Sequence, residues 1–130
     1  MKINNVSILE ELKIHLNSNA EEDINLDMND FKCIIDNKDS IQISQGEYRG
    51  VYSAVKAMQK AIGCKNTFIS NDSISAMILF IIHPEYIVYN LSDAVYMLES
   101  HLHEDADIIW GTHSDKNLDK DYVKVILVLA

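Results

Sequence analysis

The spacing of apolar residues along the chain predicts four helices. In the first, apolar side chains recur every three or four positions, as they do on one face of a helix. These residues are Val6, Leu9, Leu12 and Leu16. Ser7 and Glu10 have the spacing of a capping box, which places the start of this helix at Ser7. A second, shorter helix is expected from Asp30 to about Asp36.

Two further helices are expected downstream. The first should end at Gly63, since glycine is favoured just beyond a helix C-terminus, and Gly46 and Gly50 bracket its entry. Its apolar face consists of Val51, Ala54, Val55, Met58, Ala61 and Ile62. Asn90 and Asp93 can cap the last helix. The apolar face of that helix consists of Leu91, Val95, Leu98 and Leu102.

Four segments are predicted to be strands. Residues 41–44 alternate between apolar and polar, whereas residues 75–82 are almost continuously apolar, as in a central strand covered on both faces. Two further strands are predicted at residues 107–112 and 122–129. The polar connection between them, residues 114–121, has a length that suggests an antiparallel pair. The order of elements therefore predicts an α/β domain, a four-stranded mixed sheet covered by helices.

Composition and charge narrow the class of protein. A chain of 130 residues with 48% apolar and 24% charged residues is long enough for one domain and is not disordered. Its net charge of −9 argues against a nucleic-acid partner and against direct contact with an anionic membrane.

Cysteine usage and the N-terminal sequence indicate a cytoplasmic location. Cys33 and Cys64 have no metal-type spacing and lie in apolar helical contexts, so we expect buried free thiols in a reducing compartment. Residues 1–5 lack the apolar run of a signal peptide, and the apolar stretches elsewhere are too short to cross a bilayer.

The common catalytic motifs are absent from the sequence. It has no glycine-rich phosphate-binding motif and only four glycines in all. The five histidines are scattered, which predicts no metal site. His113, Ser114 and Asp115 are adjacent in sequence and therefore cannot form a catalytic triad, which needs separate elements.

An acidic segment at residues 21–31 carries the strongest candidate chemistry, with five carboxylates and two amides. Asp27 could be the N-cap of the second helix and Asp30 its third residue, stabilising the helix by about 1 kcal/mol. Alternatively, these carboxylates could orient and polarise a water for attack on a phosphate. Since nothing in the chain could bind that phosphate, another molecule would have to supply it.

Residues 24–30, I-N-L-D-M-N-D, resemble the synergy loop of FtsZ, the bacterial cell-division GTPase family of the tubulin/FtsZ superfamily. That loop has the pattern N-x-D-x-x-D, which Asn25, Asp27 and Asp30 match. The likeness continues in order, without large gaps, over residues 6–130 and so covers nearly the whole chain.

Three other segments carry the same resemblance. Residues 45–50, followed by alanines in the next helix, look like the family's glycine-punctuated entry from strand to helix. Residues 105–112, with Asp115 after them, are similar to its A-x-I-I-F-G-x-x-x-D segment. Residues 123–130 resemble its last strand.

The resemblance implies a single C-terminal-type domain. Residues 1–19 would correspond to the end of the family's central helix, residues 20–30 to the synergy-type loop, and residues 31–130 to the sheet and helices. The family's GTP-binding domain has no counterpart here, so the chain alone should bind no cofactor. GTP, with Mg, would reach it only through a partner subunit.

The resemblance also implies roles for individual residues. Asp27 and Asp30 would activate water in trans, on the partner's GTP, and Asn25 would fix the loop near that nucleotide. Met28 and Asn29 stand where the family has Phe and Ala, which changes the expected shape of the loop. The expected interface residues around these positions are Glu22, Asp23, Leu26, Met28 and Asn29.

The implied function is that of a binding module. It would dock its acidic loop on the GTP face of an FtsZ-type GTPase, contribute to hydrolysis in trans, and assemble with filaments or cap them. In one alternative, the chain is the separated C-terminal domain of a complete FtsZ-type enzyme and its partner is its own missing N-terminal half. In another, it is a structural or interaction domain with no role in hydrolysis.

Overall fold

The described residues form nine regular elements and a short 3-10 turn. The computed structural model describes residues 2–3, 5–16, 24–36, 38, 40–63 and 75–130. Its elements are β1 (Lys2–Ile3), α1 (Val6–Leu16), α2 (Met28–Ile35), β2 (Ser40–Arg49), α3 (Ser53–Ile62), β3 (Ser75–Ile82), the 3-10 turn Val88–Asn90, α4 (Leu91–Glu99), β4 (Asp107–Ser114) and β5 (Tyr122–Leu129). The expected α/β class, with four main strands and four helices, is confirmed; the two-residue strand β1 was not predicted.

The sheet has the strand order β1-β2-β5-β3-β4 and is mixed, as expected. β3 and β4 are parallel, while β5 is antiparallel to both β2 and β3. The prediction that β4 and β5 pair with each other is wrong, because β3 lies between them. β5 is buried along almost its whole length, so the backbone groups on both of its edges need partners, which β2 and β3 supply. The connection therefore crosses the end of β3, where the Asp115 amide donates to the Ile82 carbonyl at 2.8 Å.

Helices cover both faces of this sheet and create two cores. Successive side chains of β5 point to opposite faces, so Val125 and Leu127 pack towards α3 and α4, whereas Ile126 and Val128 pack towards α1 and α2. Because both faces are covered, β3 and β5 consist of almost uninterrupted apolar residues.

The start of α1 differs from the sequence prediction. The Asn5 side chain, rather than that of Ser7, caps the helix, since its Oδ1 accepts from the Ile8 amide at 3.1 Å. Earlier entry into the helix turns Val6 outwards, where it is 62% exposed, and brings Ile8 into the core.

Gly46 has a different role from the one expected. It lies inside β2 rather than at the entry to α3, and an added Cβ would be only 2.2 Å from the Ala57 carbonyl oxygen. Glycine at this position therefore allows α3 to approach the strand closely. Val51 lies in the turn before α3 rather than on its buried face. Gly63 ends α3 as predicted, donating its amide to Gln59 at 2.9 Å.

Cys33 is exposed, contrary to the expectation of a buried thiol, because α2 buries Phe31 and Ile34 on its other side. Cys64 lies outside the described residues, as does the polar connection at residues 67–73. None of the helices in the described part of the chain is long and apolar enough to cross a membrane.

Candidate functional site: the acidic loop

The acidic loop, defined here as residues 24–30, is attached to the edge strand β4. The Ile24 amide donates to Thr112 Oγ1 at 2.9 Å, and the Thr112 amide donates to the Ile24 carbonyl at 2.8 Å. Thr112 itself is buried. The start of the loop is therefore hydrogen-bonded to both the backbone and the side chain of one residue on an edge strand, which fixes its position.

Gly111 allows the loop to lie directly against β4. A Cβ at this position would be 2.4 Å from the Ile24 carbonyl oxygen and 2.6 Å from Leu26 Cγ, both too close for any side chain. Leu26 was expected at a partner interface, but it is only 8% exposed and packs in the core beneath α1 and α2. That expectation is corrected: the Leu26 side chain anchors the loop from inside.

A capping box fixes the far end of the loop. Asp27 is the N-cap of α2, and its Oδ1 accepts from the Asp30 amide at 3.0 Å. In return, Asp30 Oδ2 accepts from the Asp27 amide at 2.8 Å. The helix begins at Met28, two residues earlier than predicted. The two aspartates therefore cap the helix, as one of the two interpretations of the sequence predicted. Such a cap stabilises a helix by about 1 kcal/mol.

The capping box does not use the full capacity of either carboxylate. It occupies Oδ1 of Asp27 and Oδ2 of Asp30, so each side chain retains a second oxygen that can accept a hydrogen bond from outside the box. Asp27 is exposed and Asp30 is half-buried. The same two residues can thus end the loop and still interact with a water or a partner.

The other expected site residues surround these two carboxylates. Asn25 and Asn29 are exposed, and Met28 is half-buried. Glu22 and Asp23, which were also expected at the interface, lie outside the described residues. The described part of the loop thus presents amides and carboxylates outwards while Leu26 points inwards.

Sequence reasoning missed the two residues that hold the loop, Gly111 and Thr112. They belong to the segment 105–112 that resembles the family, so the signal was present in the sequence. What the sequence could not show is the contact itself, because Ile24 and Thr112 are 88 positions apart.

A second polar cluster lies between α1 and the sheet. Glu11 forms an ion pair with Lys124 and lies 3.8 Å from His15 Nε2, and the rings of His15 and His113 are 4.5 Å apart. Burial lowers the pKa of His15, and the neighbouring His113 and Lys124 lower it further while Glu11 opposes them. His15 Nδ1 is buried and has no hydrogen-bond partner among the described residues.

No metal site is present in the part of the chain that the structure describes. No three His, Cys, Asp or Glu side chains there have an arrangement that could hold an ion. Neither the acidic loop nor the histidine pair is therefore assigned a metal.

Proteins of similar sequence are cell-division proteins. The FtsZ proteins of Helicobacter pylori strains J99 and 26695 are each 30% identical to this chain over 109 residues. The matched region is 81% of this chain but 28% of each relative, so the chain spans less than a third of the length of these curated relatives. No family model matches the chain.

Solved structures with the same fold include an FtsZ and a TubZ. An FtsZ dimer from M. jannaschii superimposes with a TM-score of 0.78 at 24% identity, over 95% of this chain and 36% of that one. TubZ of Bacillus thuringiensis serovar israelensis, in a GTPγS-form protofilament, gives 0.72 at 12% identity, over 96% of this chain and 32% of that one. At these identities the likeness establishes the fold alone.

Proposed function

Because this chain is an FtsZ-like domain of the tubulin superfamily, we propose that it docks its acidic loop on the GTP-bearing face of an FtsZ-type partner. There it contributes Asp27 and Asp30 to hydrolysis of the partner's GTP. The observation that supports this proposal is the loop itself, which is fixed at both ends while Asp27 is exposed and Asp30 half-buried.

A fixed loop is what catalysis in trans requires. A carboxylate that positions water must be held within a fraction of an ångström, since misplacement removes most of its effect. Here Thr112 and Gly111 fix the entry of the loop, Leu26 anchors its middle, and the capping box fixes its end. These constraints come from the domain alone and precede any contact with a partner.

Each polar residue has a distinct proposed role. The second oxygens of Asp27 and Asp30 hold a water in line with the terminal phosphate, and one of them accepts the water's proton. The bond from that water to phosphorus forms as the bond from phosphorus to the leaving GDP breaks. Asn25 donates to the nucleotide or its surroundings from the start of the loop. GTP and its Mg belong to the partner. Glu22, Asp23, Met28 and Asn29 form the proposed rim of the contact.

The consequence for assembly depends on what the docked domain presents to the next subunit. A domain that docks in this way without a nucleotide face of its own closes the filament end, so we expect it to cap or shorten filaments. Joined to a GTP-binding half, the same loop would instead act on the neighbouring subunit within a filament.

The competing role of the two aspartates is purely structural, and the observed capping box supports that role directly. Asparagine separates the two roles because, at each of the two positions, its side-chain oxygen can accept the capping hydrogen bond while the carboxylate is lost. Asp27→Asn/Asp30→Asn should therefore remain folded with little loss of stability. Alanine, by contrast, would remove the cap as well, so a loss of activity in an alanine variant would not be informative.

The experiment measures phosphate release by an FtsZ-type GTPase from the same source, with and without the purified chain. We expect wild type to stimulate release and Asp27→Asn/Asp30→Asn to lose roughly 100-fold of that stimulation, as for removal of a general base. Asp36→Asn/Asp105→Asn, which removes two exposed carboxylates outside the loop, is the charge-matched control and should behave as wild type. Equal stimulation by the wild type and the double variant would exclude the catalytic role.

A further inference from the structure

A groove of about 560 Å³ lies between the N-terminal ends of α3 and α4, away from the acidic loop. Its walls are the turn before α3, the first turn of that helix, the connection from β3 to α4, and the end of the connection before β5. A volume of this size is typical of ligand-binding sites. We propose that this groove, called here the α3–α4 groove, binds a segment of a partner protein in which an apolar side chain is flanked by lysine or arginine.

Large apolar side chains project into solvent around the groove. Val51 is 72% exposed, Tyr52 75% and Ile87 66%, and all three line it. Single exposed apolar residues are ordinary, but three around one concave surface mark an interaction site. They provide the apolar contact for the proposed segment.

The groove has a fixed shape. The hydroxyl groups of Ser53 and Tyr86 are buried beneath it and hydrogen-bonded to each other at 3.0 Å. In the turn above, Tyr52 has a φ of 58° and Gly50 a φ of 126°. A left-handed conformation is unfavourable for tyrosine and is retained where the surrounding structure fixes it, commonly at functional sites. The backbone of the turn therefore holds Tyr52 at the edge of the groove.

The charges in the groove favour a cation. Three carboxylates and one amine line it, and the amine of Lys120 lies 2.6 Å from Glu85, so these two charges offset each other. Neither Asp93 nor Asp121 forms an ion pair with another described residue, although the nearby Arg49, itself paired with Asp119, interacts electrostatically with Asp121. The N-termini of α3 and α4 each contribute roughly half a positive charge, which only partly offsets these two carboxylates.

The overall charge disfavours a second copy of this chain as the occupant of the groove. With a net charge of −9, a second copy of this chain would be repelled from a groove that is itself acidic. A basic segment of another protein is attracted to it for the same reason. This site shares no residue with the acidic loop and does not depend on the proposed function.

Two short synthetic peptides test the proposal, alike in their leucine and phenylalanine residues but flanked by lysines in one and by glutamates in the other. Backbone amide shifts of the whole chain are recorded while each peptide is added. We expect the lysine peptide to shift residues 50–55, 85–93 and 120–121, and to bind at least about tenfold more tightly than the glutamate peptide.

Variants assign the binding to the groove. Ile87→Ser and Asp93→Asn/Asp121→Asn should each weaken the lysine peptide by about fivefold or more. Ile14→Ser on α1, where Ile14 is 70% exposed, and Asp36→Asn/Asp105→Asn are matched controls that should bind as wild type. Equal affinity for the two peptides, shifts outside the groove that survive Ile87→Ser, or no groove shifts at about 1 mM peptide would each overturn the proposal.

Discussion

Gly111 is the residue on which the position of the acidic loop depends most directly. Any side chain there would collide with the Ile24 carbonyl, which is part of the loop's backbone and cannot rotate away. A larger residue must therefore push the loop from β4 and break its two hydrogen bonds with Thr112.

Gly111→Ala is expected to lower the free energy of unfolding by about 1–3 kcal/mol, the usual cost of overpacking. Urea denaturation measures this loss. Gly63→Ala is the matched control and should change stability much less, because the nearest atom to its Cβ, the Gln59 oxygen, would be 3.2 Å away. Similar losses for the two variants would show that close approach of the loop is not what requires glycine at position 111.

The sequence identified the polar residues of the candidate site but not the residues on β4 that hold the loop in place. Asn25, Asp27 and Asp30 were recognisable because their spacing within one short segment carries the resemblance. The support comes from Thr112, on a strand near the other end of the chain, and only the folded sheet brings it to the loop. Local spacing therefore predicted the candidate chemistry, while the precision of the site depends on tertiary contacts.

At the scale of elements, α1 is attached to the sheet through a cluster whose charge depends on pH. The groups facing His15 are Glu11 on its own helix, His113 on β4 and Lys124 on β5. Protonation of His15 would place a positive charge beside an amine and a second imidazole, with a single carboxylate to compensate. The contact is therefore most stable when His15 is neutral.

The lowered pKa of His15 gives the sign of the pH effect. The unfolded chain takes up a proton near the ordinary value of 6.5, whereas the folded chain does so only at lower pH. The full contribution of neutral His15 to the free energy of unfolding is therefore present above pH 6.5. It falls as the pH drops towards the folded-state pKa, by at most about 1.4 kcal/mol per pH unit for one proton.

Unfolding free energies measured from about pH 7.5 to 5 check this prediction. His15→Gln should show a shallower loss on acidification than wild type. His101→Gln, at an exposed position after α4, should retain the wild-type dependence. If His15→Gln instead follows the wild-type curve, the histidine contact does not set the acid sensitivity of the fold.

The order of the strands illustrates what apolar patterning leaves open. The uninterrupted apolar residues of β3 and β5 correctly predicted strands covered on both faces. The length of the connection between β4 and β5 favoured a hairpin, but β5 lies between β2 and β3 in the sheet. The pattern of apolar residues predicts how deeply a strand is buried. Which strands it pairs with depends on the whole sheet.

At the scale of the whole molecule, two candidate contact surfaces are separate. The acidic loop lies against β4 and is anchored in the core beneath α1 and α2, whereas the α3–α4 groove lies among loops and helices that cover the other core. A partner at one surface therefore need not displace a partner at the other. The net charge of −9 favours basic partner surfaces at both.

The central claim is that the acidic loop contacts the partner at its bound nucleotide, and photo-crosslinking tests it directly. Asn29, exposed in the loop, is replaced by the photoreactive p-benzoylphenylalanine, and Asp36 at the other end of α2 is replaced in the same way as a control. We predict that position 29 crosslinks to residues around the GTP of an FtsZ-type GTPase and that position 36 does not. Crosslinks from position 29 that map away from the nucleotide, or that position 36 reproduces, would contradict the account.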